Sequence, residues 1–271
     1  MTKKIKTHSK EYTKYLKKER NKKIFIIGIQ ILLLVGFIGM WELLAQLGVI
    51  DTFITSSPSK IFDTIFSIAK TGELGLHIST TLLEAILGFI IATGLGTLIA
   101  IILWFSESLR KILDPFLVVL NSLPKIALGP LIIIWVGIGT TSIVVMDVLI
   151  MIIITTLTML TSFTNCDKSK IMLLRSYGAN KLQILSKLVL PNSIVDFIGV
   201  LKVNVGLTWV GTIMGEYLNS RAGLGYLIVY GSQVFNLNLV MASTAILCIL
   251  ASIMYFIVSW IEKVIRKKYN A

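Results

Sequence analysis

Six apolar runs, each close to the length needed to cross a bilayer, limit what this chain can fold into. They are Ile24–Ala45, His77–Phe105, Ile112–Val136, Ser142–Phe163, Asn192–Tyr217 and Leu237–Ile261. A spanning helix needs about 20 apolar residues at about 1.5 Å rise each, and in hydrocarbon every backbone amide must find a partner inside its own segment. The predicted fold class is therefore all-α, a polytopic membrane protein with about six transmembrane helices. Mean hydropathy of +0.84 with 15% charged residues agrees with a lipid solvent. The runs consume most of the 271 residues, so one transmembrane domain is expected over 24–261, between basic tails at 1–23 and 262–271. No soluble catalytic domain fits.

Charge placement sets the expected orientation. Of 26 Lys and Arg, 21 fall in the N-terminal tail, the loop after the second run, the stretch after the fourth run and the C-terminal tail. Lys60, Lys70 and Arg221 fall in the opposite loops, and Lys125 and Lys202 lie within runs. This asymmetry predicts cytoplasmic termini. The net charge of +12 is thus mostly a topology signal, and no basic surface with base-reading residues suggests nucleic acid. The Lys-rich tail can also lie on anionic lipid. It does not read as a cleaved leader, because the apolar run after it is too long and lacks a small-x-small site. Cys166 and Cys248 read as buried or idle thiols, too far apart in topology to pair. Neither His8 nor His77 reads as a ligand.

Three stretches depart from plain spans. Between the first two runs, Pro58 opens and Gly72 closes a helix with Ile61, Ile65, Ile68 and Ala69 on one face, which predicts a helix in the membrane interface. Asn121-Ser-Leu-Pro-Lys-Ile-Ala-Leu-Gly-Pro130 puts two prolines and a lysine inside the third run, where broken backbone needs a cavity or protein around it. Glu216–Asn238 is too rich in Gly and Asn for a span, yet apolar enough to dip back into the protein.

The polar island at about 164–192 is the clearest docking signal. Ile171, Leu174, Leu182, Leu185 and Val189 recur at helical steps, and Gly178-Ala179 interrupts them at a predicted bend where another backbone can approach. Within the runs, Glu84, Asn121, Lys125, Asp147, Lys202, Asn204 and Glu216 are polar groups that usually face a bundle interior, with Trp209 farther along the fifth run. Lys125 either meets an anionic cargo or caps carbonyls freed by the prolines. Lys202 and Asn204 either line a pathway or bond between helices. Glu216 and Arg221 are expected to pair locally, and Glu42 and Glu84 to face a neighbouring helix or the interface. Gly88, Gly94 and Gly96 read as close helix packing.

Three blocks together resemble the permease subunits of binding-protein-dependent ABC importers, in the branch serving nitrate, sulfonates and taurine. They are Asn121–Gly139, the island with Tyr177-Gly-Ala and Leu190-Pro191, and Gly215-Glu-Tyr with Gly223-Leu-Gly-Tyr. The chain departs from that pattern where the usual Glu-Ala-Ala, six residues before the glycine, is Met172-Leu173-Leu174. The resemblance implies that the island is a coupling loop, with ATPase contacts through Leu174, Tyr177, Gly178, Ala179, Leu182 and Leu185. Pathway candidates are Asn121, Lys125, Asp147, Lys202, Asn204 and Trp209.

Implied partners are two cytoplasmic ABC ATPase subunits, a second permease copy as a homodimer, and an extracellular or periplasmic solute-binding protein. Implied too are a bacterial or archaeal cell (inner) membrane and a small anionic solute. The chain has no G-x-x-x-x-G-K-[ST] loop, so ATP and Mg are expected on the partner, with no cofactor, catalytic residue or metal on this chain. An ion-gradient-driven secondary transporter is the alternative reading; it calls for matching helix breaks in both halves.

Overall fold

A computed structural model describes residues 10–269 and divides at Asp63 and Thr64 into two compact units. The start of the basic tail, with His8, and residues 270–271 lie outside the described residues.

In the first unit, α1 (Lys10–Gln46) runs unbroken from the basic tail through the first apolar run. The predicted span at Ile24 is thus the inner part of a longer helix. Its apolar side chains are largely exposed, as lipid contact requires. Gly48, at φ +69°, lies just past its end. Asp51 caps the single turn α2 (Thr52–Thr55) by accepting from the Phe53 amide at 2.8 Å. Glu42 accepts from the Ser59 amide at 3.0 Å and the Ser59 hydroxyl at 2.9 Å.

The predicted interfacial helix is α3 (Pro58–Thr71). Ile65 and Ile68 pack into the core of the second unit, while Phe62 and Phe66 are exposed. Gly72, at φ +80°, separates it from α4 (Glu73–Phe105).

The third apolar run is not one crossing helix. It forms α5 (Glu107–Ser122), a 3₁₀ turn at Lys125–Leu128 and α6 (Gly129–Val136), with the two parts bent by 83°. Pro124 forces the break, since Leu123 before it takes the extended conformation that a following proline demands. Pro130 does not disrupt a helix as expected. It begins α6, at a position where a missing amide donor costs nothing.

The centre of the second unit is α4, α7 (Thr140–Thr164) and, after the hairpin, α11 (Ile194–Asn219). Helices in lipid associate through close backbone approach at small residues. A Cβ on Gly88 would lie 2.5 Å from the Asp147 side chain, one on Gly96 2.6 Å from Thr155, and one on Gly215 2.8 Å from Ile143. Gly94 departs from the sequence expectation: nothing lies within 4 Å of its Cβ position, so it makes no such contact.

After α11 the chain turns into α12 (Leu224–Gln233) and then α13 (Leu237–Tyr269), which runs past the predicted end at Ile261. The start of α12 is held by side chains from other helices. The Gly223 amide donates to His77 Nδ1 at 3.0 Å, the Leu224 amide to Thr81 Oγ1 at 2.8 Å, and the Gly225 amide to Glu216 Oε2 at 2.5 Å. These are among the helix-start donors that have no intrahelical acceptor. Glu216 is therefore buried and committed to α12, and no ion pair joins it to Arg221 among the described residues. Glu84 takes the first of its two expected placements, against neighbouring helices; it is 1% exposed, beside Glu216 and Thr140.

Candidate docking hairpin and membrane pathway

The island folds into a hairpin because its sequence supplies a start and a stop for each short helix. Asp167 begins α8 (Lys168–Ser176) by accepting from the Ser169 amide at 2.8 Å. The stop is Gly178, whose φ of +80° suits a residue without Cβ. There the Gly178 amide donates to Arg175 O and the Ala179 amide to Leu174 O, satisfying carbonyls left free at the helix end. Asn180 and Gln183 then form a reciprocal capping box that starts α9 (Lys181–Ile184). A π turn at Leu185–Val189 and the short α10 (Leu190–Asn192) lead back to α11. Lys181 Nζ donates to Phe105 O at 3.2 Å, tying α9 to the end of α4.

The apolar stripe of the island divides into two faces. Ile171, Leu174 and Ala179 pack half-buried, and Ile184, Leu185 and Val189 pack fully, on a core containing Leu103, Leu160 and Phe163. On the other face Tyr177 is 81% exposed, Met172 67%, Leu182 66% and Leu173 55%. Of the six coupling candidates, then, Leu174, Ala179 and Leu185 anchor the hairpin, while Tyr177, Gly178 and Leu182 are presented outward. Met172 and Leu173 join the outward face and were not among the candidates. A helical wheel separates them from Ile171 and Leu174, so the signal was in the spacing. Cys166, at the hairpin's base, is buried, and burial pushes its thiol up, away from the thiolate form.

The pathway candidates do not form one group. Asn121 is exposed and Lys125 half-buried on the broken α5–α6 segment, where Lys125 Nζ donates to Asn121 O at 3.4 Å. Asp147, Asn204 and Trp209 lie inside the bundle. Asp147 accepts from Thr212 Oγ1 at 2.8 Å; Asn204 Nδ2 donates to Thr93 Oγ1 and Thr155 Oγ1, both at 2.9 Å. Trp209 is 6% exposed within an apolar cluster. Lys202 is elsewhere again, ion-paired with Glu262 at the far part of α13 and 5.8 Å from the Tyr255 ring. Glu84, Asp147 and Glu216 come from three helices and interact electrostatically, yet they do not make a metal-binding group among the described residues.

The family model described as "Binding-protein-dependent transport system inner membrane component" matches residues 85–270, a range that includes the hairpin and the broken segment. A "Probable ABC transporter permease protein" of Haemophilus influenzae is 31% identical over 231 residues, covering 85% of this chain and 94% of that one. The taurine transport system permease protein TauC of Escherichia coli is 24% identical, covering 78% and 79%. Among solved structures, a bacterial alginate ABC transporter in complex with its alginate-bound periplasmic protein superimposes with TM-score 0.65 at 12% identity, over 92% of this chain and 98% of that one. At that identity the superposition speaks for the fold.

Proposed function

We infer the role of this protein from one premise: the chain belongs to the binding-protein-dependent transport system inner membrane component family. It is a multi-pass ABC importer permease subunit. It works with an ABC ATPase and a solute-binding protein, and ATP with its Mg is bound on the ATPase. In the finer arrangement we favour, two copies of this chain pair, two ATPase subunits dock on their hairpins, and both termini lie in the cytoplasm. The positive-inside asymmetry supports that orientation.

The observation that carries this reading is the two-faced hairpin. One face is sunk in the bundle through Ile184, Leu185 and Val189, and the other offers Met172, Leu173, Tyr177 and Leu182 around Gly178. A load-transmitting contact needs both, since an element loose in its own bundle passes no movement to the helices. Interfaces take most of their affinity from a few apolar anchors at their centre. The Tyr177→Asp/Leu182→Asp protein should therefore insert normally but lose the ATPase on co-purification, with ATP-driven uptake in vesicles reduced about a hundredfold. Uptake that persists in that variant, or that collapses with an ionophore in the unaltered protein, would overturn the reading.

The cargo is a small anionic solute that passes along the α5–α6 segment as two copies face each other. Supporting this are the exposed Asn121 and the half-buried Lys125 on a broken segment, together with the aliphatic sulfonates transport named for a relative 27% identical over 234 residues. Lys125→Ala is expected to raise the transport KM about tenfold for the anion, which corresponds to losing one charge-assisted contact. A Lys125 that merely caps Asn121 O would instead lower thermal stability and leave KM unchanged.

A further inference from the structure

On the hairpin side of the bundle, a cavity of about 710 Å³ opens between the ends of α4, α5 and α7 and the hairpin helices α8 and α9. Its composition is amphiphilic. Trp104, Phe105, Leu157 and Leu160 give it an apolar floor, with Trp104 and Phe105 edge-on at 5.3 Å. Its walls carry Arg110, Lys111, Lys168, Arg175 and Lys181 against Glu107 and Asp114, five cations to two carboxylates. Two of these cations are already engaged: Lys111 pairs with Glu107 at 2.9 Å, and Lys181 donates to Phe105 O. Arg110, Lys168 and Arg175 make no ion pair among the described residues, and Arg110 is half-buried. Arg110 and Lys168 interact electrostatically with Glu107, but that carboxylate is already paired with Lys111. The positive charge around the cavity therefore exceeds the negative, and a partly desolvated guanidinium is costly without an anion of its own.

The level of the cavity adds to this. It sits where the apolar run of α4 stops at Phe105 and Ser106 starts α5, the depth at which aromatic residues mark the boundary between hydrocarbon and headgroups. Basic pockets between transmembrane helices at that depth suit phosphate headgroups. We propose that this cavity binds an anionic phospholipid, its phosphate between Arg110, Lys168 and Arg175 and an acyl chain along Trp104 and Leu157. A soluble phosphate ester shares the headgroup chemistry, but the apolar floor matches the lipid. Such a lipid bridges α5 to α8 and so holds the hairpin against the bundle at the membrane surface.

The test titrates phosphatidylglycerol into the delipidated full chain and reads adducts by native mass spectrometry, with phosphatidylcholine and glycerol phosphate in parallel. Phosphatidylglycerol is expected to be retained over phosphatidylcholine, and Arg110→Gln/Lys168→Gln/Arg175→Gln to weaken it by about tenfold or more. The charge-preserving Arg110→Lys/Lys168→Arg/Arg175→Lys protein should keep the lipid, separating lost charge from lost folding. Lys14→Gln/Lys17→Gln/Lys18→Gln, in the tail, should leave this retention intact. Three outcomes overturn the proposal. The first is phosphatidylglycerol retention unchanged by the Gln variant, and the second is glycerol phosphate binding with the same sensitivity and no lipid preference. In the third, the Gln variant keeps its lipid but loses the ATPase, which would assign these cations to an acidic segment of that partner.

Discussion

Replacing Gly178 with tryptophan is expected to leave a folded, membrane-inserted protein that no longer retains its ATPase and no longer transports. Two features separate docking from folding here. Nothing lies within 4 Å of the position a Gly178 Cβ would take, so a side chain leaves the backbone there into open space. The strain of a non-glycine residue at φ +80° costs about 1–2 kcal/mol, local to a hairpin that Ile184, Leu185 and Val189 hold down independently. A partner seated on Tyr177 and Leu182, by contrast, must close over that bend. Filling the centre of such a contact is expected to weaken it at least about a hundredfold. Gly178→Asn provides the comparison, because asparagine tolerates the left-handed conformation and adds little bulk; it should keep most of the ATPase. Normal co-purification of the ATPase with Gly178→Trp at ordinary yield would refute the docking assignment.

Gly211→Val should have the opposite signature, a protein that fails at the level of the bundle. A Cβ at Gly211 would sit 2.1 Å from Asp147 Oδ1 and 3.2 Å from Asp147 Cα, and Gly88 crowds the same side chain from α4. Asp147 thus fills the space between α4, α7 and α11, with its other oxygen accepting from Thr212. Valine at 211 must push α7 and α11 apart. The overpacking costs about 1–3 kcal/mol, and a buried hydrogen bond lost with it about 1–3 more. At roughly 2–4 °C per kcal/mol for a chain of this size, the thermal midpoint in detergent should drop by about 10 °C, with little folded protein recovered from membranes. Gly94→Val, on the same helix as Gly88 but in open space, should melt like the unaltered protein. Equal midpoints for Gly211→Val and Gly94→Val would mean that α7 and α11 are not in close contact.

Much of this architecture was readable because hydrocarbon leaves a chain few choices. The apolar runs locate α4, α7, α11 and α13 to within a few residues at most of their ends, and Gly178 with Asn180 marks the turn of the hairpin. The misreadings came where geometry depends on a partner distant in sequence. Pro124 announced a break, but the 83° bend also depends on α6 packing against α7. Leu174 and Leu185 share the helical stripe of Leu182, and sequence could not tell which of them the bundle would claim. Glu216 looked like a loop acid near Arg221. It accepts from the Gly225 amide at the start of α12, a stretch too rich in Gly and Asn to read as a helix, and His77 and Thr81, which take the two preceding amides, lie more than a hundred residues away. The polar residues of the runs were visible one at a time, whereas their sorting into an exposed segment and a buried seam is a property of the assembled bundle.

The wide turn at Leu185–Val189 has a bearing on how such a hairpin is aimed. Each residue of an α-helix advances the chain by about 100° around its axis, and a π turn accommodates one residue more than the regular ladder would. The five residues from Leu185 to Val189 therefore act as a phase shifter between the bundle and everything beyond it. Their number, more than their chemistry, sets the azimuth at which Tyr177 and Leu182 point. Relatives that gain or lose a single residue there would present the same side chains in a different direction.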